Sequence, residues 1–344
     1  MDITKRNSAL DITRIFAMFS VISVHFFLNN GFYSEPMLGK RMLVMTIMRT
    51  GFMVCVPLFF TLTGYLMSRK TWSRGYYRGI TKTRGIYVLA SIACILFKIL
   101  VVGSEISLDQ AFFSVLNYSG ANYAWYIEMY IGLFLLSPLL NILLVKMQTL
   151  KQYLWLLGTM LILTALPSLT SADLAPDYWN GLYPLTLYIL GAGIRRYQPK
   201  LPSWLSALLA RATVTLLGLI SLLSTDKNFS SGFTQGYGGF WVTLTGTFVF
   251  LAIYRLQLPG KLATCANWLA GGCFEGYLLS RLFDVWVYAA APASWRQPER
   301  YWLCFVAITI PIFLISILAG KAVHTLAVKL TDLILPKKKA QAVK

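Results

Sequence analysis

SALDITRIFAMFSVISVHFF, residues 8–27, is the stretch on which the reading of this chain turns. Its apolar core continues from Ile12 to Leu28. That is enough helix to cross the hydrocarbon of a bilayer, and longer than the core of a typical cleavable leader. No small-residue cleavage site follows it, so the segment reads as a retained span. Yet it carries Asp11, Arg14 and His25. Ionisable groups inside a membrane are expensive, and they persist where there is a partner, a pathway or a reaction. Asp11 and Arg14 are three residues apart and share a helix face. Arg14 and His25 are separated by about 16 Å along the axis, roughly three turns, which returns them to one stripe. The plainer readings are an interfacial anchor for Arg14 and an interhelical hydrogen bond for His25.

The pattern repeats along the whole chain. Of 344 residues, 57% are hydrophobic and only 13% charged, against about 25% charged in soluble domains. Mean hydropathy is +0.61. Apolar runs near 12–28, 50–68, 85–103, 125–144, 153–170, 182–194, 207–224, 239–256, 267–289 and 302–324 predict an all-α bundle of about ten spans. The sixth is short and open to a re-entrant reading. With the amino end inside, eight of the 31 basic residues fall on outer segments: Lys40, Arg41, Arg49, Lys98, Lys227, Arg281, Arg296 and Arg300. The other 23 fall inside, the positive-inside pattern expected of a chain with both termini in the cytoplasm. The same distribution explains the net charge of +18 without nucleic acid. Residues 1–326 form the expected membrane domain and 327–344 a basic tail, whose Lys337–Lys339 run suits anionic headgroups. The five cysteines contain no CxxC pair, and the two histidines stand far apart, so no metal site is expected.

Further ionisable groups fall inside the spans. In NYAWYIEMYIGLF, Glu128 reaches a depth similar to that of His25, where a carboxylate would orient the imidazole and raise its basicity. Tyr130 lies deeper, in place to line a cavity, whereas Trp125 and Tyr126 suit an aromatic belt. Glu275 falls near mid-depth of its span, Arg281 and Asp284 have ion-pair spacing, and His324 falls at headgroup level. The linker RKTWSRGYYRGITKTR, residues 69–84, alternates arginines with aromatics. Arg74, Arg78 and Arg84 there offer planar forks to phosphate, though topology alone also explains them. A basic patch on one side and a base nearer the other suit group transfer across the membrane. The rival is a transporter or flippase for a lipid-linked sugar, for which inverted repeats and broken helices are the expected marks.

Three stretches resemble the membrane-bound acyltransferase-3 family: DITR with His25, VPLFFTLTGYLM at 56–67, and WYIEMYIGLFLLSPLLN at 125–141. Thr63 stands where the family usually has Ser. The later GGCFEGYLLSRLFD, 271–284, departs further, with Arg281 where a histidine is common. The resemblance implies an enzyme of the bacterial inner membrane that O-acetylates a cell-surface or lipid-linked carbohydrate. Acetyl-CoA would be the cytoplasmic donor. It implies His25 as general base or transient acyl carrier, and the depths of Glu128 and Tyr130 in their span add these two to the expected catalytic set. Arg14, Arg74, Arg78 and Arg84 would hold the donor.

Overall fold

Pro57 and Pro138 explain two of the architecture's main irregularities. In the computed structural model, which describes residues 7–121, 123–169, 175–223, 229, 236–290 and 301–334, helix α1 (Ser8–Asn29) is followed by α2 (Gly39–Phe52) and α3 (Cys55–Met67). The sequence led us to expect one span from residue 50. Instead a 29-residue apolar stretch starts at Gly39 and breaks at Met53–Val54. A proline at 57 has no N–H for the Met53 carbonyl and its ring crowds that group, so the helix restarts with Pro57 in its first turn.

Helix α4 (Arg74–Leu100) is the second correction. The Arg74–Arg84 stretch, expected as a loop, forms the first turns of this helix. Ser73 caps it by accepting from the Tyr76 amide at 3.1 Å. Tyr76 then stacks on Phe134 at 4.3 Å and donates its hydroxyl to the Phe134 carbonyl at 2.6 Å. Phe134 precedes Pro138 by four residues within α6 (Trp125–Lys146), so its carbonyl lacks a helical donor. Tyr76 supplies one, which satisfies a buried backbone group that lipid cannot.

Between α4 and α6 lies the short α5 (Leu108–Leu116). Then come α7 (Leu150–Thr164), α8 (Tyr183–Tyr197), α9 (Ser203–Leu223), α10 (Phe240–Ile253), α11 (Gly260–Ala270), α12 (Cys273–Ala290) and α13 (Tyr301–Ile334). The protein is thus an all-α, polytopic membrane bundle. Among the described residues, six stretches are long and apolar enough to cross a bilayer: α1, α2–α3, α4, α6, α9 and α13. α7, α8 and α10 occupy expected span positions but are shorter. α12 carries Glu275, Arg281 and Asp284 within its 18 residues. The expected ninth span, 267–289, is divided at Gly271–Gly272 into α11 and α12. α13 continues past residue 326, where a basic tail was expected to begin, and the Lys337–Lys339 run lies outside the described residues.

Small residues let the central helices touch within one chain, as is common where lipid provides no hydrophobic drive between helices. A Cβ on Gly191 of α8 would land on the Thr61 carbonyl of α3, and one on Gly64 would land on the Tyr188 carbonyl. Because both obstacles are backbone, Gly191→Ala is expected to cost at least about 1–3 kcal/mol of bundle stability. Fluorescence-detected size exclusion after graded heating would show this as an earlier loss of the monodisperse peak. An unchanged melting profile would contradict the close crossing.

Candidate active site

Two clusters lie at different levels of the bundle, joined by tyrosines. At the Arg14 end, α1, α3, α4, α6, α12 and α13 enclose a cavity of about 410 Å³. Its lining includes the apolar Phe59, Leu62, Leu66, Ile86 and Phe274. Arg14, Lys82, Glu275 and His324 line it as well, together with Thr63, Thr83, Tyr126 and Tyr130. Arg14 donates to the buried Asp11 at 2.6 Å, the face-sharing pair expected from their spacing. Asp11 is a first-turn residue of α1, where the helix dipole favours a carboxylate. His324 does not sit at headgroup level in isolation: its Nδ1 contacts the buried Glu275 carboxylate, and its Nε2 is 3.4 Å from Lys82 Nζ. The cavity therefore gathers cationic groups at an apolar cleft, the chemistry of a site for an anion with an organic arm.

From this cavity a run of rings leads along the bundle. Tyr130 and Tyr126 are stacked at 6.3 Å, Tyr126 meets Tyr277 edge-on at 5.7 Å, and Tyr277 lies 6.2 Å from Tyr123. Tyr277 also donates its hydroxyl to the Tyr123 carbonyl at 2.5 Å. The run ends at His25, whose ring stacks on Tyr123 at 4.0 Å with 14° between planes. The Tyr123 hydroxyl donates to Asp284 Oδ2 at 2.7 Å. That same oxygen is 3.8 Å from His25 Nδ1, just beyond hydrogen-bond reach. Among the described residues, His25 Nδ1 and Asp284 Oδ1 are both buried without a hydrogen-bond partner. Burying such groups unpaired is costly. A small rotation closing the 3.8 Å gap would pair the imidazole with the carboxylate and present Nε2 on the far side.

The arrangement revises the expected site. The carboxylate facing His25 is Asp284. Glu128 sits on the exposed side of α6, and its carboxylate has no hydrogen bond or ion pair among the described residues. Tyr130 lines the cavity as expected, and so does Arg14. Arg74, Arg78 and Arg84 are exposed and do not line it; Lys82 from the same helix does. The expected Arg281–Asp284 ion pair is not among the described ones, and Tyr123 takes that carboxylate instead. Lys82, Glu275, His324, Tyr123 and Asp284 were not assigned to the site by sequence reading. The one available signal was that four of them are polar or ionisable residues within or beside apolar segments. Among the described residues, no three histidine, cysteine or carboxylate side chains gather as metal ligands would.

Residues 7–321, nearly the whole chain, match the family described as an acyltransferase domain. No curated protein and no solved structure matches the chain.

Proposed function

The chain belongs to the membrane-bound acyltransferase family that acts on cell-surface carbohydrates, and from that premise we propose that it carries an acetyl group from acetyl-CoA at its Arg14 end to a carbohydrate hydroxyl at His25. The observation that carries this reading is the stacked, carboxylate-facing His25 at one end of a tyrosine run whose other end is a cationic cavity. In this reading the bundle crosses the bacterial inner membrane about ten times, with Arg14 toward the cytoplasm and His25 toward the outside. The acceptor is a surface or lipid-linked glycan.

The donor's phosphates meet Arg14 and Lys82, with His324 held beside them by Glu275. Arg78 lies one turn before Lys82, outside the cavity mouth. The thioester arm follows the tyrosines toward His25. Nδ1–H of His25 donates to Asp284, which leaves the Nε2 lone pair free as the base. The acceptor hydroxyl gives its proton to Nε2 while its oxygen attacks the thioester carbonyl carbon. The tetrahedral intermediate then collapses, the carbon–sulfur bond breaks, and the imidazolium returns the proton to the departing CoA thiolate. The hydroxyls of Tyr123 and Tyr277 are committed to Asp284 and to the Tyr123 carbonyl, so the oxyanion takes its hydrogen bond from another hydroxyl or from a backbone N–H. Acyl transfer through a covalent acyl-histidine uses the same residues, with Nε2 as nucleophile.

Mass spectrometry of surface and lipid-linked glycans tests this function. Deleting the gene is expected to remove one acetyl mass increment per modified sugar, and restoring the gene to return it. Identical spectra in both strains would refute the proposal. The donor site has its own test. Lys82→Ala removes a charge-assisted contact worth roughly 1.5–3 kcal/mol, so affinity for CoA should fall about ten- to hundredfold. Radioligand binding in nanodiscs measures this, and unchanged affinity would place the phosphates elsewhere.

A further inference from the structure

A second crevice, of about 260 Å³, opens between the end of α3 and helices α6, α7 and α8. It shares no lining residue with the donor cavity. Three arginines line it, Arg69, Arg195 and Arg196, and no carboxylate is among the lining residues. None of the three takes part in a described ion pair. We propose that this crevice binds the phosphodiester headgroup of an anionic glycerophospholipid from the adjoining leaflet.

Two of the arginines are fixed in place by backbone. Arg195 donates to the Tyr65 and Leu66 carbonyls at 2.7 and 2.9 Å, and Arg196 to the Leu144 and Met147 carbonyls at 2.6 Å each. These bonds satisfy the last carbonyls of α3 and α6 and orient the guanidinium planes. Carbonyls are dipoles, however, and leave the net charge uncancelled. Arg69 is exposed and makes no side-chain hydrogen bond or ion pair among the described residues, so its fork is open to a ligand. Ser68 adds a hydroxyl at the rim. Beside the arginines the wall becomes apolar with Leu144 and Val145, and Val145 is 72% exposed on the outer surface of the bundle. A ligand suited to both halves has an anionic phosphate head and an acyl tail lying along α6. Basic pockets between membrane helices recognise anionic lipid heads in this way. Because α3 and α6 also wall the donor cavity, a lipid seated here braces two of its sides.

A free phosphate ester, including that of CoA, offers the same head chemistry, so the test separates the sources. The full-length protein in detergent is titrated with phosphatidylglycerol, phosphatidylcholine or CoA and read by native mass spectrometry. Wild type is expected to retain phosphatidylglycerol and to release phosphatidylcholine. Arg69→Gln should weaken retention about fivefold, and Arg69→Gln with Arg196→Gln about thirtyfold. Arg84→Gln, which removes an exposed arginine outside the crevice, should change nothing. Equal retention of the two lipids, or undiminished retention in the variants, overturns the proposal. Displacement of the lipid by CoA overturns it as well and gives the crevice to the donor. If the double variant melts early, Arg69→Gln alone carries the test, since that side chain holds no bond among the described residues.

Discussion

Replacing His25 with alanine is expected to abolish acetyl transfer while the protein still folds and still binds CoA. A positioned general base contributes about 10²- to 10⁴-fold, and a route through acyl-histidine would be lost entirely. The variant should survive because the imidazole Nδ1 makes no hydrogen bond that the bundle relies on. Tyr123 keeps its bond to Asp284 in any case. The ring does lose its stack on Tyr123, worth about 0.5–1.5 kcal/mol, a modest loss for a bundle of this size. The cationic wall of the donor cavity is also left intact, Arg14 lying three turns away on the same helix. Transfer rate, CoA affinity and the size-exclusion profile of one nanodisc preparation separate these effects. Wild-type transfer by the alanine variant would move the base to another residue.

Asp284→Asn is expected to lower kcat by roughly 10²–10⁴ with little change in KM for acetyl-CoA. The loss comes from the imidazole tautomer. A carboxylate accepts only, so it selects Nδ1–H and leaves the Nε2 lone pair toward the acceptor. An amide placed at the same point can turn its NH₂ toward the ring, which makes Nδ1 the acceptor and puts the proton on Nε2. A base that already carries its proton cannot take another from a sugar, and in hydrolase triads the same exchange costs about 10⁴-fold. A merely structural Asp284 would instead lower the yield of folded protein and leave the kcat of the remainder intact. Tyr123→Phe keeps the stacked ring and removes one hydrogen bond, so it should fall between wild type and Asp284→Asn. If Asp284→Asn turns over normally, the carboxylate does not position His25.

What the sequence could and could not disclose follows from the geometry of helices. Depth is linear in residue number, so the level difference between Arg14 and His25 is readable from spacing alone. Azimuth is not, until something fixes which way a helix faces. Glu128 was assigned to His25 on depth, but Tyr126 and Tyr130 both line the cavity and Glu128 lies midway between them, about 200° from each at 100° per residue. If two tyrosines point inward, the glutamate between them must point outward. Lys82 and Arg84 show the same effect on α4, also about 200° apart. Asp284 was hidden for another reason. Its bond to Tyr123 joins residues 161 positions apart, and only the packing of α12 against α1 brings it to His25. Its proximity in sequence to Arg281 suggested a local ion pair instead. The breaks at Met53–Val54 and Gly271–Gly272 interrupt apolar runs that hydropathy reads as continuous, although Pro57 marked the first.

In the proposed mechanism, donor and acceptor are used from opposite ends of the bundle. Sealed vesicles of known sidedness, prepared from cells carrying the native acceptor, test it most directly when given membrane-impermeant, isotopically labelled acetyl-CoA. Everted vesicles, with the cytoplasmic face outward, should incorporate label into glycan protected within the lumen, and those made with His25→Ala should not. Right-side-out vesicles should incorporate label only after permeabilisation. Equal labelling of both sealed preparations, or labelling confined to the face that received the donor, would contradict transfer along the path from Arg14 to His25.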